Sequence, residues 1–214
     1  MKVSYYSFSD YKQIAHQFLA KHGFLSKATL PMDIEALIDK AGITILPVSS
    51  MYKDFGVKGA VLKKKEGFDI AIDEQHYEEQ EYYFRFTLAE ELSHILLHPR
   101  LVAGILSLED VQSFHQSFTD EEYKKIEQQA RTLASQLLLP SQIFDDFVLN
   151  WVDKNIDHVR SASIYSKADL SEYIADGLYK PLSLSKDVVR FSITRFPEPA
   201  IDKVLADFGI TLIR

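Results

Sequence analysis

The chain of 214 residues contains no cysteine. Without thiols it can form no disulfide bridge, no thiolate metal site and no cysteine nucleophile, and such a composition is typical of a reducing compartment. The sequence also lacks a run of about eighteen apolar residues, and no basic segment followed by an apolar one opens the chain. We therefore expect a cytoplasmic protein without a membrane span.

Basic residues are fewer than acidic ones. Lysine and arginine number 24, aspartate and glutamate number 31, and the net charge is −7. Binding to a phosphate backbone requires an excess of cations, so this balance disfavours direct contact with nucleic acid. The sequence shows no internal repeat and no low-complexity tract. Its length suits one large domain with a smaller appended region.

The first part of the chain mixes helical and strand patterns. Apolar spacing and capping residues predict helices at 11–21 and 33–41, a strand at 43–47, and hairpin strands at 59–63 and 68–72. A glutamate-rich stretch at 74–81 is predicted to be a solvated lead-in to the helix that follows.

Helical patterns dominate the chain after Pro140. They are predicted at 142–154, 170–178, 185–195 and 201–208. The middle two could form a helix-turn-helix, but Arg160–Arg195 holds six basic and four acidic side chains, which is too small an excess to indicate DNA binding. A module for helical packing or protein recognition is the favoured interpretation. The sequence thus predicts an α+β protein with a domain at 1–140 and a helical region at 141–214.

One helix carries most of the information about function. Residues 82–98 read YYFRFTLAEELSHILLH. With about 100° between successive residues, the polar side chains fall within an arc of about 100°, and apolar side chains fill nearly all the rest. The arc contains Thr87, Glu90, Glu91, His94 and His98. A surface helix shows the opposite pattern, so we expect this helix to be buried, with its ionisable groups paired or bound to a metal.

The spacing within that arc is close to a metal-binding motif. Zinc peptidases carry His-Glu-x-x-His on a helix, where both histidines bind the metal and the glutamate is the general base. Residues 90–94 read Glu-Glu-Leu-Ser-His, which places Glu91 at the base and His94 at the second ligand. Glu90 stands at the first ligand, where the motif has histidine. His94 and His98 also have the spacing of two ligands, but in that alignment Ile95 stands where the base should be.

Two of these residues also have ordinary structural interpretations. Thr87 and Glu90 fit a T-x-x-E capping box, which would place Glu90 at a helix start with no chemistry. The apolar pattern already begins at Phe84, however, and this weakens that interpretation. His98 precedes Pro99, and a histidine at a helix end interacts favourably with the last carbonyl groups. We interpret His98 first as a cap and second as an accessory residue of the site.

A further ligand could come from the next strong helix, which is predicted at 120–139. It begins with a T-x-x-E capping box at Thr119. Glu127 falls inside the apolar face of this helix, near small alanines that permit close approach of a second helix. It is either a metal ligand or the partner of Arg85 or Arg131, and the residue pattern leaves both open.

Two segments on these helices match one known pair of motifs. Residues 86–98 read FTLAEELSHILLH, and residues 127–140 read EQQARTLASQLLLP. They are similar to the RFTLAHELGHLLLH and E-x-x-A-N-x-F-A-x-x-L-L-M-P patterns of the ImmA/IrrE metallo-endopeptidases. The chain resembles that family over roughly residues 10–140. Its departures from the pattern are Glu90 for histidine, Ser93 for glycine and Arg131 for asparagine.

The resemblance implies a zincin-like fold and a role for each site residue. His94 corresponds to the second metal ligand, Glu127 to the third and Glu91 to the general base. Glu90 stands at the first ligand. The implied cofactor is zinc or another divalent metal, since two glutamates shift preference toward harder ions such as Mn²⁺ or Mg²⁺. Without metal the three carboxylates would crowd together, and at least one would stay protonated.

The resemblance also implies a partner and competing functions. Members of the family act on or bind a helix-turn-helix transcriptional repressor, and so relieve repression of mobile-element or stress genes. One hypothesis is an active endopeptidase with Glu90, His94 and Glu127 as ligands and Glu91 as base. Another is a binding protein with a degenerate site, which keeps the fold and the partner without the chemistry. A third is a DNA-associated regulator that uses the helices within 170–195.

The hairpin at 59–72 has a predicted role beside the motif helix. In zinc peptidases an edge strand next to that helix holds substrate by strand addition. This hairpin is the candidate for that role, although most of its side chains fit an ordinary structural hairpin.

Overall fold

The computed structural model describes residues 4–25, 30–79, 81–162, 166–195, 197, 199–210 and 212. By their contacts these residues form two compact units. The first unit holds the chain up to Leu138 without Leu30 and Pro31. The second holds those two residues together with the chain from Leu139 onward.

The first unit combines helices with a small sheet. Its elements within the described residues are α1 (Phe8–Lys21), α2 (Ile34–Lys40), β1 (Thr44–Val48), α3 (Met51–Phe55), β2 (Gly59–Lys63), β3 (Phe68–Asp73), α4 (Glu74–Glu79), α5 (Glu81–Leu97), α6 (Pro99–Val102), α7 (Glu109–Gln116) and α8 (Asp120–Leu138). Helices α5 and α8 match the two motif helices that the sequence predicted.

The strands form one mixed sheet in the order β1-β3-β2. β1 runs parallel to β3, with Thr44 beside Asp69. β2 runs antiparallel to β3, with Ala60 beside Ala71. The pair β2 and β3 is the hairpin that the alternation at 68–72 predicted, and β2 lies at an edge of the sheet.

Helices α5 and α8 pack against each other, and α5 also contacts β2 and β3. The α5 side chains Leu88 and Leu92 are fully buried, and so are Ala130 and Ala134 of α8. A helix that is apolar over most of its surface needs cover on several sides, and the sheet and α8 provide it. The sheet and α8 cover the apolar side chains of α5, whereas its polar side chains line a cavity.

The regular elements that the structure describes in the second unit are all helices. Its helices are α9 (Ser141–Lys154), α10 (Ile156–Ser161), α11 (Lys167–Leu178), α12 (Lys186–Ile193) and α13 (Ala200–Phe208). Phe144, Val148, Leu170, Ile174 and Val189 are fully buried. An α+β domain followed by a helical region is the predicted fold class, and that prediction is confirmed. Across the described chain, no helix is both long and apolar enough to cross a membrane.

The stretch at 74–81, predicted as a solvated lead-in to the motif helix, has exposed side chains at Gln75 and Glu78 but contains a helix that the sequence did not predict. Glu74–Glu79 form α4, residue 80 lies outside the described residues, and His76 is buried. The Asp73 carboxylate accepts a hydrogen bond from the His76 backbone nitrogen at 2.9 Å, which stabilises the start of the helix. The buried side chain of this short helix is a histidine, and its neighbours are polar. The sequence therefore shows no apolar periodicity that would predict a helix here.

Helices α3 and α7 have no counterpart in the sequence-based prediction. The Asp110 carboxylate accepts hydrogen bonds from the backbone nitrogens of Leu106 and Ser107, both at 2.9 Å, at the start of α7. Val111 is buried in this helix. A helix of two turns is shorter than the window of about eleven or more residues over which a helical period is identified in a sequence, yet α7 supplies a side chain to the site described below.

Candidate active site

Helix α5 begins at Glu81, well before Thr87. Thr87 therefore lies inside the helix, where its hydroxyl donates to the Tyr83 carbonyl oxygen at 3.3 Å. This geometry excludes the capping-box interpretation of Thr87 and Glu90, because a capping box requires the threonine at the helix start. The Glu90 side chain takes part in contacts between helices instead.

A cavity of about 240 Å³ opens beside the polar arc of α5. Helices α5, α7 and α8 and strand β2 line it, and their polar side chains there include Thr87, Glu90, Glu91, His94, His115, Tyr123 and Glu127. The structure thus places all four residues proposed as ligands and base, Glu90, Glu91, His94 and Glu127, on the wall of one cavity. The backbone of Gly59, Ala60 and Val61 closes it on the β2 side.

Glu90 is paired with Arg131 of α8. The Arg131 Nε donates to Glu90 Oε1 at 2.8 Å, and the glutamate side chain is 15% exposed against 62% for the arginine. Burial raises the pKa of Glu90, and the hydrogen bond from Arg131 opposes that rise. The carboxylate at the first ligand position is therefore already engaged by a cation of the chain itself.

His94 faces Glu127 across the same two helices. His94 Nε2 lies 3.5 Å from Glu127 Oε1. Burial lowers the pKa of His94 to about 4, and the positive charges of Arg131 and His115 add to this effect. The imidazole is thus neutral near pH 7, and the contact joins a neutral ring to a carboxyl group. Of the two arginines proposed as partners of Glu127, Arg131 pairs with Glu90 and Arg85 donates to the Met32 carbonyl oxygen at 2.5 Å.

Glu91 lies against the backbone of the edge strand β2. A Cβ atom added to Gly59 would be 2.7 Å from Glu91 Oε1 and 2.7 Å from Thr87 Cγ2, so glycine alone permits this approach. Burial raises the pKa of Glu91 well above its usual value, and the nearby carboxylates of Glu90 and Glu127 raise it further.

His115 and Tyr123 are site residues that the sequence reasoning missed. The Tyr123 hydroxyl lies 3.0 Å from His115 Nε2, and it hydrogen-bonds the Glu127 carboxyl group, which partly offsets the rise in the pKa of Glu127 caused by burial. Tyr123 precedes Glu127 by one helical turn, so its place beside Glu127 was readable from the period. His115 was not, since α7 has only eight residues and its packing against α8 cannot be predicted from the sequence.

His98 does not join the cavity-lining residues. Its ring centroid lies 5.7 Å from that of His94, and the side chain is buried. The ring forms a hydrogen bond to the backbone of Ile126, while its Nε2 is buried without a hydrogen-bond partner. His98 therefore lies beside His94 without lining the cavity. Its hydrogen bond to the Ile126 backbone connects the end of α5 to α8.

The donor set does not fit a metal ion as it is arranged. Among the described residues, no three histidine, cysteine, aspartate or glutamate side chains come together closely enough to hold one. A zinc site in a peptidase needs three protein ligands around one point. Here Glu90 is drawn toward Arg131, whose charge is near enough to lower the pKa of His94.

Taken together, the fold and the cavity define a zincin-like protein of the zinc metallopeptidase-like class. Two packed helices present an E-E-x-x-H segment and a glutamate to one cavity beside an edge strand. The model of the family described as IrrE N-terminal-like domain matches residues 41–156, more than half of the chain. The chain belongs to this family, which confirms the resemblance. No curated protein matches the chain.

Proposed function

We propose that this protein binds a helix-turn-helix transcriptional repressor through its peptidase-type cavity and relieves repression without cleaving the repressor. Membership of the IrrE-like family supports the choice of partner. The cavity, with an edge strand along one side, supports the way in which the partner is held.

The observation that carries the absence of cleavage is the contact between Glu90 and Arg131 at 2.8 Å. It occupies the carboxylate at the first ligand position and leaves the donor groups unsuited to zinc. The residues that hydrolysis would need are present, but they are engaged with one another.

Strand β2 is the part of the cavity wall that suits a peptide. It lies at the edge of the sheet, and its outer side bonds to the chain at Lys63, whose backbone nitrogen donates to the Ile105 carbonyl oxygen at 2.7 Å. Gly59, Ala60 and Val61 line the cavity before that point. An extended segment of the repressor would add to this stretch of the edge and lie along α5.

One observation favours the alternative, an active metal-dependent endopeptidase. Glu90, His94 and Glu127, the ligands in that hypothesis, line one cavity with the base Glu91. Side-chain rotation within the cavity would be needed before they could share an ion, since Arg131 would have to release Glu90.

The substitution Glu91→Gln separates the two functions, because it keeps the shape of the side chain and removes the base. The repressor is first identified by capture on the tagged full-length protein. A reporter for the repressed promoter is then assayed beside a blot for repressor fragments. We expect the wild type and the Glu91→Gln variant to relieve repression equally, with no fragment from either.

Glu121→Gln is the matched control for this experiment. Glu121 is an exposed glutamate on α8 that does not line the cavity, so its variant reports the effect of losing one surface carboxylate. Fragments produced by the wild type and by Glu121→Gln, but not by Glu91→Gln, would contradict the proposal and establish the endopeptidase.

A further inference from the structure

Two contacts join α5 to α8 across the cavity, one helical turn apart. Glu90 pairs with Arg131 at 2.8 Å, and His94 contacts Glu127 at 3.5 Å. Glu90 and His94 are four residues apart on α5, and Glu127 and Arg131 are four residues apart on α8, so each pair lies on one face of its helix. The contacts therefore form two successive cross-links between the same helices.

A metal ion held by residues of both helices would make the same connection. Its ligands from α5 and α8 would share one cation, and that cation would offset the charge of the carboxylates. In this chain the positive charge comes from the Arg131 guanidinium, which is covalently part of α8. Its partner is Glu90, the residue at the first ligand position.

Glu90 and Arg131 are also two of the positions at which the sequence departs from the family pattern, and they contact each other. A lone glutamate at 90 would add a third carboxylate to a cavity that Glu91 and Glu127 already line. A lone arginine at 131 would add a cation near His94 without the carboxylate that hydrogen-bonds it here. Each departure offsets the charge introduced by the other.

We propose that Arg131 takes the place of the metal ion in this chain: paired with Glu90 it cross-links α5 to α8, so that the cavity forms without metal. This inference rests on the proposed function in one respect, since both require Glu90 to be engaged by Arg131. It adds a role for the pair in holding the two helices together.

The test compares four full-length proteins: the wild type, Glu90→His, Arg131→Asn and the double variant Glu90→His/Arg131→Asn. Zinc binding is measured by isothermal titration, and melting temperature is measured with and without EDTA. We expect no saturable zinc binding by the wild type and the tightest binding by the double variant. Each single variant should bind at least about tenfold more weakly than the double, because groups around the ligands change metal affinity by that order.

Melting temperatures supply the second readout. The wild-type value should not change with EDTA, whereas that of the double variant should fall when zinc is removed. Arg131→Asn without metal should melt below Lys125→Asn, a control that removes one exposed charge from the same helix. This comparison holds even if the double variant does not fold.

Two results would overturn the inference. One is a wild-type melting temperature that falls in EDTA and is restored by zinc. The other is an Arg131→Asn variant as stable as Lys125→Asn. Neither depends on the repressor, so a failure here is distinct from a failure of the proposed function, which would appear as repressor fragments in the reporter experiment.

Discussion

Single residues decide how closely the sheet approaches the site. Gly59 lies on β2 where the strand passes the Glu91 carboxyl group, and any side chain there would meet Glu91 and Thr87 at 2.7 Å. The Glu91 Cγ atom would also lie 3.0 Å from the added atom, and the Thr87 methyl group is held on a β-branched side chain, so neither can yield by rotating only the end of a side chain. The position of Glu91 is thus set by the backbone of another element as well as by its own helix.

The substitution Gly59→Ala should lower the free energy of unfolding by about 1–3 kcal/mol, since an added methyl group overpacks the contact between β2 and α5. Urea denaturation followed by circular dichroism measures the change. The same variant should also bind the repressor less well, because the edge of β2 must move away from α5.

Gly104→Ala is the control for this prediction. Nothing lies within 4 Å of a Cβ atom at Gly104, so its variant should be neutral or more stable by up to about 1 kcal/mol. Equal free energies of unfolding for Gly59→Ala and Gly104→Ala would show that residue 59 is not in close contact with Glu91.

At the scale of elements, α9 and α11 approach each other closely where Trp151 of α9 meets Gly177 of α11. A Cβ atom at Gly177 of α11 would lie 2.1 Å from Trp151 Cζ2 of α9. The Trp151 ring also lies 6.3 Å, between centroids, from that of Tyr173. A glycine within a helix ordinarily costs about 1 kcal/mol relative to alanine, and here it makes room for an indole ring.

Gly177→Ala should therefore destabilise the protein by about 1–3 kcal/mol instead of stabilising it as in an open helix. The chain has one tryptophan, so its fluorescence reports directly on the contact, and we expect a shifted emission maximum. Urea denaturation gives the energy.

A double-mutant cycle locates the effect. In a Trp151→Phe background the smaller ring should accept the added methyl group, and Gly177→Ala should then cost less. The same cost in both backgrounds would mean that the indole is not what excludes a side chain at residue 177.

At the scale of the whole molecule, charge determines which partners the protein can meet. The net charge is −7. On α12, Lys186 pairs with Glu172 at 2.8 Å and with Asp176 at 3.0 Å, and Arg190 pairs with Asp187 at 3.1 Å. Both basic side chains of α12, Lys186 and Arg190, are thus already partnered by carboxylates.

We expect the full-length protein to show no binding to duplex DNA at about 150 mM salt, because few phosphates could be neutralised. Fluorescence anisotropy with a labelled duplex measures this. Lys186→Ala and Arg190→Ala should leave the result unchanged. Binding by the wild type that either substitution weakens would contradict the proposal and favour a DNA-associated regulator.

The sequence by itself determined the two motif helices and the fold class. The start of α8 follows from the local capping box of Thr119 and Glu122, whose side chains hydrogen-bond as predicted. The extent of α5 follows from its nearly continuous run of apolar side chains around one polar arc, and the predicted 82–98 matches Glu81–Leu97 closely. These features depend on neighbours within one or two turns, so a sequence contains all that decides them.

Only the tertiary structure decided which side chains meet. Arg131 lies 41 residues from Glu90 in the sequence, yet it engages the carboxylate at the first ligand position. His115 enters the cavity from α7, a helix of eight residues whose position beside α8 no local pattern specifies. Periodicity tells which face of a helix a residue occupies, but the packing of α5, α7, α8 and β2 sets the distances between faces. Those distances pair Glu90 with Arg131 instead of leaving it beside His94 and Glu127 as part of a metal site.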